Sequence, residues 1–194
     1  MQDSRARGRR TLLIVAAVFL VPVAVAFALY YGQLWRPSGS SSMGELITPA
    51  RPLTIAGLKH ADGTPADAAV FADKWTLIYI GDGACDADCR AALVYARQSR
   101  LALNNEMTRV QRVFLATGHC CANDYLAAEH VGLITLDASS PAAAQLLASF
   151  PAARAQSLFI VDPHGNLMMR HDANHTTKDL LSDLKKLLKL SHIG

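Results

Sequence analysis

The sequence lacks the marks of most nucleotide and hydrolytic chemistry. It has no Gly-rich loop that could cradle a phosphate, no paired carboxylates placed for hydrolysis, and no Ser/His/Asp set in a recognisable frame. It has no internal repeat and no long low-complexity tract, which excludes a solenoid or a mainly disordered chain. Beyond residue 10 it has no net charge. Residues 1–10 carry four Arg and one Asp, which already accounts for the net +3 of the whole chain. A neutral remainder has no electrostatic footprint for nucleic acid. Cysteine is scarce too, with four in 194 residues. A domain of this size can bury a core without staples, so the four cysteines are not read as a scaffold framework.

Charge is missing altogether from Thr11 to Tyr31, an apolar stretch of 21 residues. At ~1.5 Å per residue it spans roughly 31 Å, matching a hydrocarbon core of about 30 Å. Pro22 lies inside it, which a membrane helix tolerates. Tyr30, Tyr31 and Trp35 follow, where an interfacial aromatic belt is expected. Arg5, Arg7, Arg9 and Arg10 precede it, so the positive-inside rule sets the N-terminus in the cytoplasm and the rest outside. Ala26-Phe27-Ala28 resembles a signal-peptidase site, the competing reading. The apolar run continues past it with no polar region before it, which favours a retained anchor. No cysteine follows it, so a lipid-anchored form is not expected.

The expected organisation is a basic cytoplasmic tail at 1–10, a transmembrane helix at 11–31, a linker at 32–45 and a folded domain at 46–194. Pro37 to Ser42 is Ser-rich and reads as a flexible tether. Leu53-Thr54-Ile55 reads as a strand and Asp62-Gly63-Thr64-Pro65 as a turn. Lys74–Ile80 is short, apolar and β-rich, so it reads as a buried strand. Asp86–Val110 has helical spacing, followed by a strand at Arg112–Ala116. A loop at His119–Asp124, a short helix at Tyr125–His130, a strand at Leu133–Leu136 and an Ala-rich helix at Pro141–Ser149 come next. Ser157–Val161 and Asn166–Arg170 form a hairpin around Asp162-Pro163-His164-Gly165. Thr176 or Thr177 caps a last amphipathic helix. This alternation predicts an α/β sheet covered by helices on both faces, closing in a hairpin and helix as thioredoxin folds do.

The candidate chemistry lies in the cysteines. Cys85 and Cys89 follow the buried strand, and a helix starting near Cys85 places both sulfurs on one face, one turn apart. They can then form a disulfide or share a soft ion such as Cu(I). Asp82, Asp86 and Asp88 raise the thiol pKa and favour a cation nearby. His119, Cys120 and Cys121 follow the next strand, on the same sheet edge if the strands run parallel. A combined metal or redox site of Cys85, Cys89, His119, Cys120 and Cys121 is the sharper reading. Small buried thiols in a loop are the plainer one. His164, His171, His175 and His192 are expected to be solvated, Met168 and Met169 to pack, and the charges of Lys178 to Lys189 to lie on a solvated helix face.

In order along the chain come Lys74-Trp75-Thr76-Leu77-Ile78-Tyr79-Ile80-Gly81, Cys85-x-x-x-Cys89 and Leu158-Phe159-Ile160-Val161-Asp162-Pro163-x-Gly165-Asn166. With the anchor and tether, these segments resemble the Sco/SenC group of thioredoxin-fold proteins over most of residues 45–194. The resemblance implies a bacterial inner-membrane protein with a single anchor and its domain in the periplasm. It also implies assistance to copper-centre assembly in cytochrome c oxidase, with an oxidase subunit or another periplasmic thiol protein as partner. Copper, as Cu(I), is the implied cofactor. The sequence departs from the group at Cys85-Asp86-Ala87-Asp88-Cys89-Arg90, which has no Pro, and at Thr117-Gly118-His119-Cys120-Cys121-Ala122. The group's third copper ligand is a His before the late strand, and no His lies between Pro151 and Val161. Thiol redox or a modified copper site therefore stands above the usual copper chemistry. A general periplasmic thiol–disulfide oxidoreductase and a non-catalytic assembly protein are the alternatives.

Overall fold

A computed structural model describes residues 2–32, 42–120, 124–152, 156–173, 177–191 and 193. The chain divides into two units, Met1–Ser41 and Ser42–Gly194. In the first, helix α1 spans Gln2–Tyr31, so the basic residues before the apolar stretch continue the same helix. Gly8–Tyr31 is long and apolar enough to cross a membrane. The tether read at Pro37–Ser42 lies almost entirely outside the described residues.

The second unit is built on a seven-stranded sheet in the order β1-β7-β6-β3-β4-β5-β2. Strand β3 (Trp75–Gly81) lies at its centre. It pairs in parallel with β4 (Val110–Ala116), which pairs in parallel with β5 (Leu133–Asp137). On its other side β3 pairs antiparallel with β6 (Ser157–Val161), and β6 pairs with β7 (Asn166–Asp172) through the expected Asp162–Gly165 turn. Trp75 to Ile80 are all buried, as a strand covered on both faces requires. Alternation sends Trp75, Leu77 and Tyr79 into one core, and Ile78 and Ile80 into the other.

The first core is closed by α2 (Ala87–Leu101) and α5 (Thr177–Leu190). Leu180, Leu184 and Leu188 follow one another at four-residue intervals and are buried. Each contributes roughly 1.5–3 kcal/mol by leaving water. The second core packs Val113, Leu115 and Phe159 against Leu146 of α4 (Ala144–Ala148) and against Phe150. Helix α3 (Asp124–Glu129) precedes β5.

Four readings need correction. Leu53–Ile55 is not a strand. Strand β1 is Glu45–Pro52, running antiparallel to β7 at the sheet edge. Pro49 and Pro52 disguise it, yet an edge strand admits proline. A two-residue strand β2 (Lys59–His60) pairs with β5 at the opposite edge and was too short to read. The helix read to Val110 stops at Leu101 and gives way to a 3-10 segment at Asn104–Arg109. Asn104 takes φ +52°, a left-handed conformation that ends a helix and that Asn tolerates.

His171 is the fourth. It is buried in the sheet, with its Nε2 3.3 Å from the equally buried carboxylate of Asp183 on α5. Asp183 also accepts hydrogen bonds from the backbone N–H groups of Met43 and Gly44 at 2.8 and 2.9 Å. The α5 charges are therefore not all solvated. His164 is exposed, as read, while His175 and His192 lie outside the described residues.

Candidate thiol site

The parallel register of β3 and β4 brings their C-terminal ends level, pairing Gly81 with Ala116. The loops that follow are fastened to each other. Thr117 N–H donates to Gly81 O at 2.9 Å, and Gly83 N–H donates to Gly118 O at 2.7 Å. A Cβ on Gly83 would lie 2.7 Å from the carbonyl oxygens of Gly118 and His119, so glycine permits this approach. Asp82 completes the clasp by accepting from Ala84 N–H at 2.8 Å and pairing with His119 Nδ1 at 2.8 Å. The Ala84 hydrogen bond, then His119, holds the Asp82 carboxyl below its ordinary range. The Asp82 hydrogen bond raises the His119 pKa.

Cys85 and Cys89 are joined in a disulfide with a Cα–Cα distance of 5.0 Å. The geometry differs from the expected pair on one helix face. Asp86, not Cys85, is the N-cap of α2, its Oδ1 accepting from Cys89 N–H at 2.9 Å. Cys85 stands before the helix with φ +49°, a left-handed conformation rare for a side-chain-bearing residue. It is pinned there by Cys85 N–H donating to Asp82 O and by Arg90 Nε donating to Cys85 O. The Arg90 guanidinium then stacks 4.6 Å above the ring of Tyr125. Strained conformations over-determined in this way cluster at functional sites.

A cavity of 420 Å³ opens beside the bridge, and both cysteines and His119 line it. Tyr79, Asp86, Asp88 and Gln156 lie on its wall too. Burial, then Asp86 and Asp88, pushes the Tyr79 phenol up to about 12. Gln156 has φ +52° at the entrance to β6 and donates from Nε2 to Asp88 Oδ2 at 2.8 Å. Sequence reasoning missed Tyr79 and Gln156. Tyr79 read as one more apolar strand residue. Gln156 precedes the late strand, close to where the expected His was sought, and that position was its only signal.

Of the five expected site residues, the structure brings Cys85, Cys89 and His119 to one cavity. Cys120 is half-buried against the α2 core and is disulfide-bonded. Cys121 lies outside the described residues, as does the region around Arg154. Among the described residues no group of three or more His, Cys, Asp or Glu side chains is gathered to hold a metal ion.

Two family models match the chain. One, described as transmembrane-like, thioredoxin-like, C-terminal domain, covers residues 75–191, and the other, transmembrane-like, N-terminal domain, covers residues 2–33. The chain belongs to the transmembrane-like, thioredoxin-like family. No curated protein matches it in sequence.

Solved structures similar to this transmembrane-like, thioredoxin-like protein include Sco proteins. Yeast Sco1 with copper bound is 16% identical, with a TM-score of 0.61, covering 79% of this chain and 96% of its own. Apo Sco1 from Thermus thermophilus is 20% identical, with a TM-score of 0.61, covering 77% and 99%. BsSco, described as having a disulfide switch and as a member of the Sco family of cytochrome c oxidase assembly proteins, is 13% identical. Its TM-score is 0.55, with 76% and 100% covered. These likenesses show that the thioredoxin-like fold is shared.

Proposed function

We propose that this protein is a membrane-anchored thiol–disulfide exchanger of Sco-like type. In this reading its domain faces the periplasm and keeps the cysteines of a copper centre reduced during cytochrome c oxidase assembly. The observation that carries the reading is the Cys85–Cys89 bridge opening onto a cavity between two clasped loops. The reduced pair attacks a partner disulfide. One thiolate forms a mixed disulfide and releases a partner thiolate; the second thiolate then closes the Cys85–Cys89 bond and releases the other. Two electrons pass to the partner, and a dithiol donor protein must return them.

Copper fits the bridged state poorly. Each sulfur is bonded to the other, so neither is a thiolate donor, and no third ligand is gathered with them among the described residues. Copper is left as cargo that only the reduced pair meets, and no step is routed through it. The general oxidoreductase reading uses the same pair and differs only in partner. The test is reduction of a synthetic disulfide by the reduced full-length protein in detergent. It is expected in the parent and abolished in both Cys85→Ser and Cys89→Ser. Turnover that persists in both variants would overturn the assignment.

A further inference from the structure

A second polar cluster lies away from the thiols, where α2, β4 and the turn from α3 into β5 meet. Val110, Phe114 and Ala116 face the first core, so strand alternation turns Arg112 to the same side. Arg97 and Arg100 are three residues apart on α2 and share one face. Each guanidinium holds a backbone carbonyl: Arg97 donates to Glu129 O, Arg100 to Val110 O and Arg112 to Val131 O. His130 lies in the same turn, with its Nε2 3.3 Å from the Tyr125 hydroxyl. Burial, then Arg100 and Arg97, depresses the Arg112 pKa; burial, then Arg112 and Arg97, lowers that of His130. The groups are therefore close enough to feel one another's charge.

Four buried nitrogen atoms of this cluster have no hydrogen-bond partner: Arg97 Nε, Arg112 Nε, Arg112 Nη1 and His130 Nδ1. Arg112 is 3% exposed and His130 1%. Among the described residues, the carboxylate paired with the cluster is that of Glu129, whose Oε2 is 3.7 Å from Arg97 Nη1 and which is itself exposed. Arg100 and Arg112 have no such counter-charge there. Buried donors left over in this way call for an explanation, and a buried cation calls for an anion. Access is at hand, because Val131 is exposed and the turn His130–Gly132 borders a cavity of 680 Å³.

We propose that Arg97, Arg112 and His130 bind a small free oxyanion of the phosphate or sulfate class. Guanidinium groups suit such ions because they are always charged and present several N–H donors in one plane. His130 Nδ1 donates in the tautomer whose Nε2 accepts from the Tyr125 hydroxyl. The burial of Arg112 and His130 sets the size of the occupant. A lipid headgroup or a peptide carboxylate brings the rest of its molecule with it, whereas a free ion does not. A metal cation is repelled by the same guanidiniums. The site is independent of thiol exchange, since it involves neither Cys85 nor Cys89.

The experiment titrates inorganic phosphate into the full-length protein in detergent, with sodium chloride holding the ionic strength constant, and follows the thermal midpoint. A saturable rise is expected, about 3–6 °C once phosphate reaches roughly ten times its Kd. Arg112→Met is expected to melt at or above the parent without phosphate and to lose the rise. Arg97→Met is expected to need at least about tenfold more phosphate for the same rise. Arg97 is partly exposed, so that variant keeps the test in force should Arg112→Met fail to fold. Lys178→Met removes one exposed positive charge elsewhere and is expected to behave as the parent. No rise in the parent overturns the inference. So does a rise undiminished in Arg112→Met or Arg97→Met, or one lost equally in Lys178→Met.

Discussion

His119 Nδ1 lies 2.8 Å from Asp82 Oδ2, and this contact fastens the loop after β4 to the loop that carries Cys85. The His119 pKa is raised from 6.5 by Asp82, and the Asp82 pKa is lowered from 3.8 first by the Ala84 N–H and then by His119. The His contribution is complete below 6.5 and is lost as pH climbs through the raised value. The Asp contribution is complete above 3.8 and is lost as pH falls through the lowered one. The clasp is therefore charged on both sides from about 4 to 6.5. NMR titration of His119 is expected to give a midpoint above 6.5, returning toward the ordinary value of about 6.5 in Asp82→Asn. An unchanged midpoint in that variant contradicts the clasp.

Gly83 is the tightest point between the same loops. Its missing Cβ would strike two backbone carbonyl oxygens at 2.7 Å. Gly83→Ala is expected to destabilise the fold by about 1–3 kcal/mol, as overpacking does. Gly118→Ala meets only the Asp82 side chain, at 2.8 Å, and should cost less because that carboxylate can swing away. Urea melts of the two variants decide the order; equal stability to the parent for Gly83→Ala goes against the close approach.

Much of this arrangement was legible in the sequence. Strands Trp75–Gly81, Val110–Ala116 and Ser157–Val161 announced themselves as short, apolar, β-rich runs, and the Asp162–Gly165 turn by its composition. The Cys85–Cys89 bridge was one of the readings their spacing allowed. The edges were not legible, because Pro49 and Pro52 look like breaks and two paired residues leave no period. Within the site, Tyr79 and Gln156 were hidden because their roles come from where the sheet puts them. The buried His171 was hidden for the same reason, since its partner Asp183 is twelve residues away on another element.

Asp183 ties α5 to the start of the domain. It is 1% exposed and receives the Met43 and Gly44 N–H groups. Asp183→Ala leaves two backbone donors and His171 without this acceptor, with an expected loss of about 2–4 kcal/mol. Chemical denaturation measures it, and a loss under about 0.5 kcal/mol shows that these bonds do not matter to the fold.

Arg112 is the opposite case. It is buried in β4 and donates from Nη2 to Val131 O, while its Nε and Nη1 have no partner. Burial, then Arg100 and Arg97, pulls its pKa down to about 10. A buried cation without a counter-ion is costly, so Arg112→Met is expected to be neutral or stabilising by up to about 2 kcal/mol. A thermal melt that falls by more than a few degrees argues that the guanidinium contributes net stability.

In the proposed function Cys85 and Cys89 form a working two-electron couple. Its most direct test equilibrates the full-length protein with glutathione at graded poises, then counts alkylated cysteines by mass. One reversible transition is expected, in which Cys85 and Cys89 gain and lose alkylation together, and which survives Cys120→Ser. A pair that stays bridged, or stays reduced, across every poise contradicts it.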